Sequence, residues 1–185
     1  MTVYDNIKNH PGNHHMVISN WIVERNAGIF CEVGVFKGEN LRNILNGPAS
    51  KVIKEYYAVD QWKEDNEYWP GKTQKEWDAI CRSTMECVSL FPQLKIVKMG
   101  STEAAGLFRD GFFDFVYIDG DHRYKPVQDD IRAWLPKVRR GGILGGHDYF
   151  GWTKWNHQVK NAVNDFFGKG NFKRDLCSVW IKEIQ

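Results

Sequence analysis

Apolar and polar positions along the chain follow two patterns, continuous apolar runs and amphipathic stretches with helical spacing. The apolar runs, bounded by glycine, proline or acidic residues, predict strands at 28–36, 56–60, 94–99, 112–118 and 142–146. The amphipathic stretches predict helices at 14–25, 39–45, 73–90, 102–108, 124–138 and 157–167. Segments 172–175 and 178–182 are expected to pair as closing antiparallel strands. Strands that alternate with helices indicate an α/β fold whose mostly parallel sheet is covered on both faces.

A length of 185 residues suits one domain, spanning 1–185 and beginning with a short N-terminal helix. The stretch from Gln61 to Phe91 is long, rich in Trp, Glu and Lys, and interrupted by Pro70 and Gly71. Long connections inside compact domains often act as lids over a ligand. We therefore predict a lid-like insertion at 61–91, with an insertion that merely packs on the domain as the alternative.

Composition and charge argue against several classes of partner. A net charge of +2, with scattered basic residues, gives no field that would attract nucleic acid or a membrane surface. The four cysteines form no CxxC pair, the N-terminus has no signal pattern, and no apolar run reaches membrane-spanning length. We expect a cytoplasmic protein that acts on a small molecule, and the sequence is compatible with a homodimer.

The first predicted strand ends in a glycine turn, Glu32-Val33-Gly34-Val35-Phe36-Lys37-Gly38. Gly34 and Gly38 supply backbone freedom and keep Cβ atoms away from a ligand. Glu32, in an otherwise apolar strand, needs a compensating partner, for which a ligand cation or ammonium would serve. The spacing E-x-G-x-x-x-G lacks the third glycine of the G-x-G-x-x-G dinucleotide motif.

Further chemistry-bearing residues follow the second, fourth and fifth strands. Asp60 ends the second strand, where a carboxylate typically accepts hydrogen bonds from a ribose diol. Asp119-Gly120-Asp121-His122 follows the fourth strand, and His147-Asp148 follows the fifth. Because the carboxyl ends of parallel strands share one edge of a sheet, these groups are expected to converge. Carboxylate and imidazole groups together predict a cation site, with oxygen ligands favouring Mg, Ca or Mn.

The segment E-V-G-V-F-K-G at 32–38, together with Asp60, resembles the first motif and the ribose-binding position of class I S-adenosylmethionine-dependent methyltransferases. The segments after strands four and five resemble a narrower group, related to cephalosporin hydroxylase and to macrolide and aminocoumarin sugar O-methyltransferases. The likeness leaves 61–91 unmatched. It implies a Rossmann-like class I methyltransferase sandwich, with a mostly parallel seven-stranded sheet and an antiparallel C-terminal strand. The implied reaction moves a methyl group from S-adenosylmethionine to a hydroxyl of a small molecule, such as a sugar or phenol.

The resemblance also implies roles for particular residues. It implies S-adenosylmethionine binding by Glu32, Gly34, Phe36, Gly38, Asp60, Gln61, Gly100, Ser101 and Asp119. It implies a divalent cation, Mg or Mn, on Asp119, His147 and Asp148, and catalysis by Asp121, His122 and His147. The general base would be Asp121 or His122. His147 stands where many metal-dependent relatives have Asp or Glu, and imidazole suits transition metals better than Mg²⁺.

Other interpretations of the same residues stay open. In a metal-free site, Asp119 and Asp121 would cap the next helix or bind the cofactor's amino group. His147 and Asp148 would then act as acid–base groups. At the level of the whole protein, a nicotinamide-dependent oxidoreductase and a non-catalytic S-adenosylmethionine-binding protein are the alternatives, because one fold hosts many activities.

Aromatic and histidine residues outside the motifs have less defined roles. Trp152 and Trp155 follow the fifth strand, where they would either stack on an acceptor substrate or pack within a lid. His10, His14 and His15 lie near the N-terminus and are expected at the surface.

Overall fold

The computed structural model describes residues 13–150, 156–174 and 177–185, and these contain a seven-stranded sheet of order β3-β2-β1-β4-β5-β7-β6. Strands β1 to β5 run parallel, β7 pairs antiparallel with β5, and β6 pairs antiparallel with β7. The strands are β1 (Ile29–Val33), β2 (Glu55–Asp60), β3 (Leu94–Lys98), β4 (Phe113–Ile118), β5 (Val138–Gly146), β6 (Lys173–Arg174) and β7 (Trp180–Glu183). The predicted fold class, including the antiparallel C-terminal closure, is confirmed.

Helices alternate with these strands along the chain. They are α1 (His14–Glu24), α2 (Glu39–Leu45), α3 (Gln74–Met85), α4 (Ser101–Ala105), α5 (Tyr124–Trp134) and α6 (Asn156–Phe167). The helix predicted at 124–138 ends at Trp134, where a 3₁₀ turn containing Pro136 follows. Proline cannot donate the next helical hydrogen bond, so the chain leaves the helix and enters β5 four residues earlier than predicted.

Two apolar clusters cover the two faces of the sheet. Residues of α1 and α2 such as Ile18, Ile22 and Leu41 pack on one face, against β1 and β2. Ile131 and Trp134 of α5 pack on the other face. Because both faces are buried, the central strands need continuous apolar sequence rather than alternation, as seen in β4.

The strand order reverses direction at the boundary between β1 and β4. From β1 the chain adds β2 and β3 on one side, then returns to add β4 and β5 on the other. In open α/β sheets a ligand crevice forms outside the carboxyl ends of the strands at this boundary. The residues that follow β1 and β4 therefore sit where a ligand would bind.

Gly34 is the point where these two strand ends touch. Its φ angle is +91°, and a Cβ at this position would lie 2.2 Å from the carbonyl oxygen of Asp119. The Asp119 N–H donates to the carbonyl of Val33, and the Gly34 N–H donates to that of Val59. The sequence predicts that this glycine makes room for a ligand. The structure shows that the close approach of the Asp119 backbone also requires a glycine at position 34.

Glu32 is buried in β1 and is compensated by the protein itself. The Tyr56 hydroxyl donates to Oε2 at 2.6 Å, and Asn40 Nδ2 donates to Oε1 at 2.7 Å. Burial raises the pKa of Glu32 to about 8, although these two donors oppose the shift. A ligand cation is therefore not needed to compensate this carboxyl group, contrary to the expectation from the sequence.

We expect Gly34→Ala to lower the free energy of unfolding by roughly 2–4 kcal/mol, because the new Cβ clashes with backbone and the positive φ strains alanine. Gly100→Ala is the matched control, since a Cβ there meets nothing within 4 Å. Its effect should stay within about 0.5 kcal/mol. Urea denaturation measures both values, and equal losses in the two variants would contradict the proposed chain contact.

Glu32→Gln should flatten the dependence of stability on pH. The folded pKa of about 8 lies above the ordinary value of 4.5, so the native state binds this proton more tightly than the unfolded chain. The contribution of Glu32 to stability is therefore full below the ordinary value and is lost as pH rises through about 8. Asn40 Oδ1 has no hydrogen-bond partner among the described residues. Rotation of the Asn40 amide by 180° therefore lets this oxygen accept the Nε2–H of the new glutamine.

Urea denaturation at several pH values between the two pKa values tests this assignment. The wild-type protein should lose stability with rising pH, and Glu32→Gln should lose less. Glu103→Gln, an exposed change on α4, is the control and should keep the wild-type slope. A wild-type slope in Glu32→Gln would show that Glu32 does not titrate in the fold.

Candidate functional site

A cavity of about 660 Å³ opens at the carboxyl ends of β1 to β4. Most of the residues predicted from the sequence line it, namely Glu32, Gly34, Phe36, Asp60, Gln61, Gly100, Ser101, Asp119, Asp121 and His122. Gly38 does not line it. Gly38 instead turns the chain into α2 with a φ of +71°, and a Cβ there would lie 3.3 Å from Thr84 and Arg42.

Asp60 organises the turn that follows β1. Its Oδ2 accepts hydrogen bonds from the backbone N–H groups of Val35 and Phe36, at 3.0 and 2.8 Å, and its Oδ1 accepts from that of Trp62 at 2.8 Å. Phe36 and Trp62 both have positive φ angles, and the Trp62 indole donates to the Phe36 carbonyl at 2.9 Å. Burial raises the pKa of Asp60 although these donors oppose it. The carboxylate thus fixes the turn and keeps acceptor capacity on the cavity wall.

The wall beyond β3 contains one residue that the sequence argument missed. Gly100 leaves space at the wall, and the neighbouring Ser101 Oγ accepts a hydrogen bond from Trp134 Nε1 at 2.9 Å. Asp130 of α5 lines the cavity with 5% of its surface exposed. A signal for it exists in the sequence, because Asp130 falls on the helical stripe shared by the buried Val127 and Trp134.

The groups after β4 and β5 converge, as expected. His122 Nε2 lies 3.4 Å from Asp119 Oδ1 and 3.1 Å from Asp148 Oδ2. His147 Nδ1 lies 3.7 Å from the same Asp119 oxygen and 3.4 Å from the same Asp148 oxygen. All four side chains are largely buried, with 15–20% of each exposed. The structure thus builds an imidazole–carboxylate cluster of Asp119, His122, His147 and Asp148.

Charge pairing sets the electrostatics of this cluster. Burial lowers the pKa of His147, but Asp119 and Asp148 outweigh it and raise the pKa to about 9. The pKa of His122 is raised in the same way, against burial, by Asp119 and Asp148. The pKa of Asp119 is lowered by His147 and His122 although burial opposes this. Asp119 and the two imidazoles are therefore held in their charged forms.

Three described residues offer metal-ligand atoms within 4.8 Å of one another, and they are Asp119, His122 and Asp148. Sequence reasoning proposed Asp119, His147 and Asp148 and gave His122 a catalytic role instead. The structure adds His122 to the potential ligands and leaves His147 beside the same two carboxylates.

His14 was expected at the surface, and the structure shows that this was wrong. Its ring centroid lies 4.3 Å from that of His147, and its Nδ1 is buried with no hydrogen-bond partner among the described residues. Burial, followed by the nearby positive charge of His147, lowers the pKa of His14 to about 4. His15 is half-buried and also lines the cavity. No spacing rule places His14 beside His147, because that contact spans most of the chain.

The segment after β2 closes one side of the cavity. Asp65, Tyr68 and Trp69 line it, and the Trp69 ring stacks on Phe36 with centroids 5.4 Å apart. The Tyr68 hydroxyl accepts a hydrogen bond from the backbone N–H of His122 at 3.3 Å.

Arg123 ties this segment to the loop after β4. Its guanidinium binds the carboxylates of Asp121, Asp65 and Glu67, with Nη2–Oδ2 of 3.1 Å to Asp65 and Nη1–Oε2 of 2.7 Å to Glu67. Arg123 also lies over the Tyr68 ring. The carboxylate of Asp121, one of the predicted general bases, is therefore engaged by a cation of the protein.

Some expectations fall on parts of the chain outside the described residues, including those for His10, Trp152 and Trp155. In the described part of the chain, no helix is both long enough and apolar enough to cross a membrane.

Comparison with known proteins gives matches in both sequence and structure. A protein family described as "Methyltransferase domain" matches residues 31–149. Uncharacterized protein R132 of Acanthamoeba polyphaga mimivirus is 41% identical over 148 residues, which cover 76% of this chain and 60% of the viral protein. Uncharacterized protein y4gI of Sinorhizobium fredii is 25% identical over 100 residues, or 54% of this chain and 11% of that one. The chain therefore spans less than two thirds of the length of either relative.

Solved structures share the fold at low sequence identity. The SAH-bound methyltransferase PaMTH1 of Podospora anserina superposes with a TM-score of 0.67 at 12% identity, covering 98% of this chain and 82% of PaMTH1. The O-methyltransferase NovP superposes with a TM-score of 0.63 at 15% identity, covering 94% of this chain and 78% of NovP. Since the family match extends over more than half of the chain and the fold agrees, the chain belongs to the methyltransferase domain family.

Proposed function

We propose that this protein transfers a methyl group from S-adenosylmethionine to a hydroxyl of a small molecule such as a sugar or phenol, assisted by a divalent cation. The observation that carries the proposal is that one cavity contains both the candidate cofactor-binding residues and part of the imidazole–carboxylate cluster. The Gly34 turn, Asp60 and Gly100 line one part, and Asp119 and His122 line another. Family membership favours methyl transfer over the nicotinamide-dependent alternative.

The cavity residues fit the cofactor. The Gly34 turn and Gly100 leave space for a ligand, and Asp60 retains acceptor capacity for a ribose hydroxyl. When bound, S-adenosylmethionine supplies an electrophilic methyl group. The protein's part is to hold the acceptor hydroxyl in contact with it and to exclude water, since positioning supplies much of the rate in such reactions.

The donor set of the cluster fits a divalent cation. Asp119 and Asp148 provide carboxylate oxygens and His122 an imidazole nitrogen, all within 4.8 Å of one another. Two oxygens with one nitrogen suit Mn²⁺ better than Mg²⁺, which prefers oxygen alone. Such a cation, when bound, lowers the pKa of a hydroxyl that contacts it.

Among the three residues proposed as catalytic, the histidines are the better candidates for accepting the hydroxyl proton. The carboxylates keep both imidazoles protonated in the metal-free cluster, so a bound cation must first displace a proton from them. Both oxygens of Asp121 face the Arg123 guanidinium, so we give Asp121 the role of fixing the loop. His122 and His147 instead face the carboxylates of the cluster. When His122 ligates a cation, His147 is left to hold the proton.

We extend the proposal to cellular context. The cysteines Cys31, Cys81, Cys87 and Cys177 are free and buried, which supports the expected cytoplasmic setting. The paired charges and a cavity of about 660 Å³ favour a small-molecule acceptor over nucleic acid or a membrane surface. A homodimer stays compatible with this function.

Calorimetry with S-adenosylhomocysteine in EDTA, followed by separate titrations with Mn²⁺ and Mg²⁺, tests the cofactor and the cation independently. We expect saturable binding of S-adenosylhomocysteine and a distinct Mn²⁺ heat. Asp148→Asn should weaken Mn²⁺ binding about tenfold or more, because it removes a charged ligand. Asparagine tolerates the left-handed backbone at this position, where φ is +55°.

Asp110→Asn is the control, since Asp110 is exposed and paired with Lys137 away from the cluster. Absence of S-adenosylhomocysteine binding would overturn the methyltransferase proposal. Equal Mn²⁺ affinity in Asp148→Asn would overturn the cation assignment alone. Incubation with S-adenosylmethionine and a panel of sugars and phenols, followed by mass spectrometry for a one-methyl gain, then tests the acceptor class. Methylation of amines or thiols alone would contradict it.

Of the lid-like insertion predicted at 61–91, which includes α3 (Gln74–Met85), we further propose that residues 61–72 act as the lid, held by Arg123. Arg123→Ala should speed amide hydrogen exchange in this segment several-fold and leave exchange in β4 unchanged, because three carboxylate contacts are lost. Arg132→Ala is the control, since Arg132 lies on α5, the helix that Arg123 precedes, and pairs with Asp129. Unchanged hydrogen-exchange protection of residues 61–72 in Arg123→Ala would contradict the proposal that Arg123 holds this segment in place.

A further inference from the structure

His122 is held in the cluster through its backbone as well as through its side chain. Its Nε2 lies 3.1 Å from Asp148 Oδ2 and 3.4 Å from Asp119 Oδ1. Its backbone N–H belongs to the loop between β4 and α5, and it donates a hydrogen bond to the Tyr68 hydroxyl at 3.3 Å. The two rings also meet edge to face, with centroids 5.9 Å apart and planes at 90°. A residue of the segment after β2 therefore contacts a residue of the cluster in two ways.

A tight turn in the segment after β2 presents Tyr68 to this loop. Asp65 Oδ1 accepts hydrogen bonds from the backbone N–H groups of Glu67 and Tyr68, each at 3.0 Å. An aspartate that bonds in this way to the backbone just after it fixes the shape of a turn. The other oxygen of Asp65 accepts from Arg123 Nη2 at 3.1 Å. The same turn therefore holds His122 and Arg123, two consecutive residues of the loop.

The position of the His122 ring decides whether three ligand atoms can meet at one cation. The ligand atoms of Asp119, His122 and Asp148 lie within 4.8 Å of one another. Metal–ligand distances are fixed to within about 0.2 Å, so a shift of the loop would separate His122 from the other two ligands. Groups that orient a ligand without touching the metal typically change metal affinity by about 10–100-fold. The Tyr68 hydroxyl is such a group for His122.

We propose that Tyr68 is a positioning residue for His122, so that closure of residues 61–72 and binding of a divalent cation to the cluster stabilise each other. This inference rests on the proposed function, to which the cation belongs. The hydrogen bond from His122 to Tyr68 is lost when the segment moves away from the loop. Because coupling between two sites is reciprocal, a cation that binds more tightly to the closed form also holds the segment closed.

The hydroxyl of Tyr68 can be removed without removing the ring. Tyr68→Phe keeps the edge-to-face contact with His122 and the contact with Arg123, whose guanidinium carbon lies 5.6 Å from the ring centroid. Arg123 also keeps its ion pairs with Asp65 and Glu67. The segment should therefore stay in place without the cation, while its hydrogen bond to the His122 backbone is lost.

Calorimetry with Mn²⁺ measures the effect on the cation site. Tyr68→Phe should weaken Mn²⁺ binding about tenfold or more, the effect of removing a group that orients a metal ligand. Because Tyr68 acts through His122, the two changes should not add. Tyr68→Phe combined with His122→Ala should bind Mn²⁺ within about twofold of His122→Ala alone. Tyr57→Phe is the matched control and should keep the wild-type affinity, since the Tyr57 hydroxyl bonds to Glu55 away from the cavity.

Hydrogen exchange measures the coupling in the other direction. Saturating Mn²⁺ should slow amide exchange in residues 61–72 several-fold in the wild type, and this slowing should be largely lost in Tyr68→Phe. A tyrosine that only packs in the segment would change exchange equally with and without the cation.

Pulsed electron paramagnetic resonance of the Mn²⁺-loaded protein reports on the ligand itself. A coordinated imidazole nitrogen should be detected in the wild type and weakened in Tyr68→Phe, with His122→Ala as the reference for its loss. A nitrogen signal of wild-type strength in Tyr68→Phe would contradict the positioning role.

The outcomes separate this inference from the proposed function. Thermal unfolding without the cation shows whether each variant is folded. Equal Mn²⁺ affinity in folded Tyr68→Phe and the wild type would overturn the inference and leave the proposed function intact. Full additivity of Tyr68→Phe and His122→Ala would also overturn it. Failure of the wild-type protein to bind Mn²⁺ would overturn the cation assignment of the proposed function, and this inference with it.

Discussion

The contact between the Gly34 turn and the backbone of Asp119 is the constraint on which the rest of the site depends. Two parallel strands end side by side, and the chain leaving β1 passes too close to Asp119 for any side chain. Asp60 holds the same turn from the other side through the N–H groups of Val35 and Phe36. The turn therefore fixes the carboxylates that follow β2 and β4 relative to each other, and with them the floor of the cavity.

The buried acidic side chains at the floor of the cavity form two groups, which differ in the kind of partner that compensates them. Glu32 and Asp60 are compensated by hydroxyl, amide and backbone donors, which hold each carboxylate in one place. Asp119 and Asp148 are compensated by imidazoles, which can exchange protons. One part of the site is thus suited to binding and the other to reaction.

The features that could be predicted from the sequence are those that depend on residues close together in the chain. The strand and helix pattern, the Gly34 turn and the convergence after β4 and β5 follow from residues close together in the chain or from the rule that parallel strands share an edge. His14 and Arg123 could not be placed, because their partners lie on other elements and no spacing encodes such contacts. Asp130 could have been found, since a carboxylate on an apolar helical stripe is visible in the sequence.

The residues whose positions could not be predicted from the sequence also shape the part of the cavity beside the imidazole–carboxylate cluster. His14 belongs to α1, which precedes the region matched by the methyltransferase family, and its ring closes the cluster beside His147. Tyr68 and Trp69 belong to the segment after β2, which the sequence resemblance left unmatched but which lies within the residues matched by the family, and they line the cavity beside His122 and Phe36. In the proposed function, α1 and the segment after β2 would therefore enclose the acceptor side of the cavity. Because the segment after β2 is bonded to the loop after β4 through Arg123, the fit of an acceptor is expected to depend on that loop as much as on the segment itself.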